Sequence, residues 1–144
     1  MAAIALPNFL NQGAKAKQTE AKQNVGMHNR LQTVYRSENT GFADKFDLLA
    51  MGTLSGSGST ASTTSYSYTL TGGGDVSNLS AKSQDTALKS YMGVSTLYLN
   101  SSSKNVIASI ICETKVPGTT AVGAPTTSTS AQATCDNASI ALGQ

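Results

Sequence analysis

At 144 residues the chain has room for one domain and not for a second, and its ten basic and eight acidic residues leave a net charge of +2, too small for a dedicated nucleic-acid binder. Charged residues make up only 12% of the chain. One histidine, two cysteines and no tryptophan exclude a histidine dyad, a four-ligand Cys/His zinc centre and an iron–sulfur cluster.

The chain opens on an apolar run, Met1 to Leu10. It is shorter than the about 20 residues that a span requires and lacks the basic start of a signal peptide, so it reads as the end of something longer. From about Asn8 to Ser37 the pattern is helical. At about 100° per residue, Ala14, Ala21, Val25, His28, Leu31 and Tyr35 fall on one stripe with Met27 and Val34 at its margin. Gln12, Lys15, Lys22, Gln23, Asn29, Arg30 and Thr33 lie opposite, as the solvated face of an amphipathic helix. Pro7 sits between the apolar start and this body. Inside a helix it would kink or break the rod; at the first turn it would be at home.

Asn39-Thr40-Gly41 reads as a helix stop, and Phe42 to Leu49 as a short helical turn against the core. Gly52 to Ser65 is loop by composition. Tyr66, Tyr68 and Leu70 alternate with polar residues in a half-buried strand that ends at the glycine turn 72–74, and Val76 to Ser80 is the expected return strand. The segment 85–92 fits either a short helix or a loop. Val94–Leu99 and Asn105–Cys112 carry the strongest β signals and should pair antiparallel across the polar loop 100–104. Pro117 to Thr134 reads as coil, and Asp136 to Gln144 as a tail.

Cys112 and Cys135 enclose a stretch rich in Thr, Ser, Ala, Gly and Pro. They read as one disulfide, worth about 3 kcal/mol for a loop of that length and pointing to an oxidising compartment; two unrelated thiols are the alternative. The expected fold is α+β: a long N-terminal helical spine (1–37), an αβ-loop (38–65), an antiparallel β-sheet region (66–112) of three to four strands under the spine, and a C-terminal disulfide-bounded loop and tail (112–144) in a single domain.

The string Ala2-Ala3-Ile4-Ala5-Leu6-Pro7-Asn8-Phe9-Leu10, followed by Gln12, Lys15, Ala16, Lys17, Glu20 and Ala21, resembles the junction of membrane segment and soluble head in type IV pilins and their pseudopilin relatives. The continuation Asn24-Val25-Gly26, Asn29-Arg30-Leu31-Gln32 to Tyr35, then Glu38-Asn39 to Phe42-Ala43, is similar to the cyanobacterial branch of major pilins. The resemblance covers about the first 45 residues well; further on only the general plan matches.

That resemblance implies a structural filament subunit serving twitching motility, adhesion and DNA uptake, at the cell surface after an inner-membrane pool. Its partners would be copies of itself, the pilus assembly machinery and, through a missing N-terminal segment, the inner membrane. Ile4, Leu6, Pro7, Phe9 and Leu10 would line the filament core, and Lys15, Lys17, Glu20 and Lys22 would make charged contacts between subunits. Family members begin with a peptidase site, a methylated phenylalanine and an apolar helix that this sequence lacks. Met1 therefore reads as a start added to a truncated head, and these residues are expected to be a soluble monomer.

A type II secretion pseudopilin is the competing reading. Such proteins commonly carry a calcium loop where this chain has its cysteines, and only Glu113 and Asp136 flank them here. No cofactor is expected, and no enzyme: His28 lies on the core stripe, and no Gly-x-Ser-x-Gly elbow occurs. DNA contact through Lys15, Lys17, Lys22, Arg30 and Arg36 would be thin and nonspecific. The sequons at Asn78, Asn100 and Asn137 read as incidental, whereas the Ser- and Thr-dense loops 53–65 and 126–134 suit O-linked sugar.

Overall fold

The computed structural model describes residues 6–52, 54 and 58–143, with side chains from Phe9 onward. Helix α1 (Leu6–Glu38) is followed by a 3-10 turn (Phe46–Leu48) and six strands: β1 (Thr60–Ser62), β2 (Tyr66–Thr71), β3 (Val76–Ser83), β4 (Tyr91–Leu99), β5 (Asn105–Thr114) and β6 (Ser139–Leu142). Every neighbouring pair is antiparallel and the sheet order is the chain order, a plain meander. The expected spine on an antiparallel sheet is present.

The strand count differs from the expected three to four. β1 pairs with β2 inside the segment read as loop, and β6 pairs with β5 inside the segment read as tail. Both are edge strands of three and four residues, too short to carry a period of their own. β4 also starts at Tyr91, within the stretch left open between helix and loop, and β3 runs on to Ser83.

Helix α1 forms where the amphipathic pattern places it. Ala21, Val25 and His28 are buried and Ala14, Met27, Leu31 and Tyr35 partly so, whereas Val34, at the margin of the stripe, is exposed. Asn29 departs from its expected place on the solvated face: it is buried against the sheet. The last turn is satisfied locally, with Asn39 Nδ2 donating to Tyr35 O at 2.8 Å and Arg36 donating to Asn39 O at 2.8 Å. Pro7 lies within the described part of α1.

The chain leaving α1 is stitched to the β2–β3 turn by Phe42 N–H to Gly74 O (3.1 Å) and Gly73 N–H to Phe42 O (2.9 Å). A Cβ on Gly72 would strike the carbonyl of Ala43, so this approach requires glycine. Phe46, Leu49, Met51 and Leu54 then enter the core beside Tyr66, Tyr68, Leu70, Leu79, Ala81 and Tyr91. This main core lies between α1 and one sheet face.

A second core covers the opposite face. Met92, Val94 and Cys112 pack with Val122 and Ala133 from the C-terminal loop, which Cys135 ties back to Cys112 through the expected disulfide. Leu99 N–H donates to Thr129 O at 2.9 Å, and Thr126 and Thr134 exchange backbone bonds, so the loop lies along the sheet as an irregular third layer.

The helix comes closest to the sheet at Gly93 on β4. A Cβ there would stand 2.7 Å from Asn29 Oδ1, 2.8 Å from Val25 Cγ1 and 3.0 Å from Val25 O. The last of these is helix backbone, so α1 must lift to admit even a methyl group. Gly93→Ala is expected to lower unfolding free energy by about 1 to 3 kcal/mol, read as a drop in the denaturation midpoint at constant slope. An unchanged midpoint would contradict this packing.

Candidate functional site

Two regions of α1 behave differently. From Phe9 to Glu20 the side chains are exposed except Ala14 and Gln18, which are half-buried; from Ala21 onward one side of the helix enters the core. Ala14 packs against the main core and Gln18 accepts from Tyr91 OH at 2.9 Å, so it is the rod ahead of Ala14 that runs past the main body of the head. Phe9 and Leu10 are 70% and 74% exposed, among the most exposed large apolar side chains described. Leu6 and Pro7 belong to this stretch of helix, while Ile4 lies outside the described residues. Such side chains on one rod need a partner to leave water.

The charges expected between subunits separate into two sets. Among the described residues, Lys15, Lys17 and Glu20 are exposed and make no ion pair within the chain. Lys22 instead sits 3.7 Å from Glu113 and 5.4 Å from the Tyr91 ring centre, so it already has partners inside the head. Glu113 also accepts from Lys89 Nζ at 2.7 Å. Burial alone would raise its carboxyl, but the Lys89 bond and charge, the Tyr91 hydroxyl and Lys22 outweigh burial and hold it below the usual carboxylate range. Asp136 serves a separate contact: it accepts from Ala138 N–H and the Ser139 hydroxyl in the turn before β6. Each of the two carboxylates weighed for calcium thus takes part in a structural contact.

Below the rod, α1 is clamped to the sheet by a buried polar row, of which sequence reasoning placed His28 on the core stripe but missed Asn24 and Gln32. Asn24, His28 and Gln32, each four residues apart, are all buried. Asn24 Nδ2 donates to Tyr68 OH at 3.0 Å. Gln32 donates to Ala43 O (2.8 Å) and Ser77 Oγ (2.8 Å) and accepts from Ala43 N–H (2.9 Å). Asn29 donates to Ile110 O at 3.0 Å and accepts from Ser95 Oγ at 3.4 Å, reaching both β5 and β4.

His28 lies within this row with no exposed surface. Because Asn29 Oδ1, 3.0 Å away, is an acceptor, the network places the ring proton on Nδ1 and leaves Nε2 to face Ser77 Oγ at 3.1 Å and Gln32 Nε2 at 3.4 Å. Burial pushes the imidazole down to about 4, against the smaller opposing effect of the Asn29 bond. This is a neutral structural imidazole with its polar atoms taken up by the fold.

On the flank of α1 that overlies β5 and β6, the helix and sheet leave a groove of about 460 Å³ floored by Gly26, Ile111 and Gly143 and edged by Lys22 and Arg30. Among the described residues no acidic side chain lines it. Among the described residues no helix is long and apolar enough to cross a membrane.

A protruding rod, a helix-on-meander head and a C-terminal loop sealed by cysteines meet a family-level match at this point. The family model described as type IV pilin-like G and H matches residues 18–136, more than half of the chain. The chain belongs to this type IV pilin-like family. Comparison with curated proteins and with solved structures returns no significant match. For a type IV pilin-like protein the division of α1 has a plain meaning: the matched region opens just ahead of Ala21, where the helix enters the core, and closes just after Cys135. A pilin or pseudopilin role in general goes with the family.

Proposed function

We propose that this chain is the head and proximal rod of a major pilin, the principal structural subunit of a type IV pilus used for twitching motility, adhesion and DNA uptake, and that it catalyses no reaction. The observation that carries the reading is the helix that runs beyond its own core with Phe9 and Leu10 in water. Such a rod is incomplete alone and complete when several copies pack their helices together, an arrangement that buries the large apolar areas typical of obligate interfaces. The cyanobacterial-like helix sequence supports the major-pilin assignment, and the disulfide supports a working life outside the cytoplasm. The full-length protein would wait in the inner membrane before assembly. The only histidine is sealed in the polar row, which removes the commonest general base from the surface.

Deletion of the gene in its source organism tests this directly. Surface filaments seen by negative-stain electron microscopy should disappear and return on complementation, with twitching, attachment and transformation frequency falling together. Intact filaments with a defect in protein secretion would overturn the proposal in favour of a pseudopilin.

A further inference from the structure

The 3-10 turn after α1 presents a small exposed knob. Phe46 anchors it in the core, while Leu48 stands 45% exposed between exposed Asp44, Lys45 and Asp47. Two acids against one base leave this knob net acidic. Across the molecule, the groove over β5 and β6 has the opposite character: an apolar floor of Gly26 and Ile111 under the cationic rim of Lys22 and Arg30. Lys22 shares Glu113 with Lys89, whereas Arg30 makes no ion pair among the described residues. A Cβ on Gly26 would stand in ordinary contact with the Arg30 guanidinium (3.8 Å) and Ile111 Cδ1 (3.9 Å), so the floor admits a side chain at this position without displacement.

We propose that the groove receives the Leu48 knob of a second copy of this chain, with Arg30 facing Asp47 and Asp44. An apolar tip with acids around it complements an apolar floor with bases around it, so burial supplies attraction and the charges fix register. Knob and groove lie on opposite flanks of α1, the knob with the segment that packs toward β1 and β2 and the groove over β5 and β6. The contact is therefore heterologous, and repeated contacts of that kind build rings or open helical filaments instead of closed dimers. This inference rests on the filament reading and adds to it which surfaces of neighbouring heads meet.

The test uses the full-length gene in its own cells. Arg30→Glu alone, or Asp44→Lys with Asp47→Lys, should cut the yield of sheared filaments at least tenfold, while the combination of all three should restore it. Leu48→Cys with Gly26→Cys should give a ladder of covalent oligomers in filaments on mild oxidation, lost on reduction. Circular dichroism of each purified head guards against misfolding, because all the charged sites are exposed. Normal filament yield in every charge variant together with no ladder would overturn the proposed contact while leaving the filament reading intact. Absence of filaments from wild-type cells would overturn both.

Discussion

Replacing Cys112 and Cys135 together by alanine, or reducing the native chain, is expected to lower its melting temperature by about 10 °C. The bridge spans a sequence separation of 23, for which the loss of chain entropy in the unfolded state amounts to about 3 kcal/mol. Each kcal/mol moves the transition by about 2 to 4 °C in a domain near this size. The damage should be uneven. The loop from β5 to β6 contributes Val122 and Ala133 to the smaller core over Met92 and Val94, and Cys135 is the covalent tie nearest to β6. The main core beneath α1 needs none of these contacts. Hydrogen exchange should therefore rise first in the C-terminal loop and β6, with β2, β3 and the core half of α1 protected until the global transition. Calorimetry of oxidised and reduced protein would check the shift, and equal melting temperatures would contradict it.

The second large effect is acid lability. The His28 imidazole titrates near its ordinary 6.5 in the unfolded chain and about 4 in the fold, because burial disfavours the charged ring. Between those values the unfolded chain binds a proton that the folded chain refuses. The stabilisation is fully present above about pH 6.5 and is lost progressively as the pH falls toward 4. At 1.36 kcal/mol per pKa unit the loss amounts to about 3 kcal/mol. Glu113 acts in the same direction at lower pH: its folded carboxyl lies below the usual range, so the stability that it adds is lost as the pH falls through that value. His28→Gln keeps polar atoms for Ser77 and Asn29 and cannot protonate. Urea midpoints measured from pH 7 to pH 4 should fall steeply for the native chain and far less for His28→Gln. Parallel profiles would show that His28 does not govern the acid response.

The helix was legible because its stripe recurs over about six turns from Ala14 to Tyr35, and its observed end at Glu38 lies one residue beyond the expected 37. The strong strands β2, β4 and β5 were legible from β-branched and aromatic runs, and Cys112 with Cys135 from their isolation. What escaped has a common cause. Asn29 reads as solvated on polarity alone, yet Ile110 O and Ser95 satisfy it inside. The i, i+4, i+8 row of Asn24, His28 and Gln32 was the available signal, since it runs beside Ala21 and Val25 on the same side of the helix. β1 and β6 became strands only because a neighbour with a free edge was brought to them, in the second case near the disulfide tether. Lys22 reads as a free surface charge until folding places Glu113 beside it.

The central claim is that the exposed front of α1 is completed by other copies of the same chain. Helical reconstruction of filaments sheared from the source organism measures this most directly. The account predicts density for this head on the outside, with α1 running inward and Phe9 and Leu10 enclosed by the helices of neighbouring subunits. Filaments built from a different chain, or a map in which Phe9 and Leu10 face solvent, would contradict it.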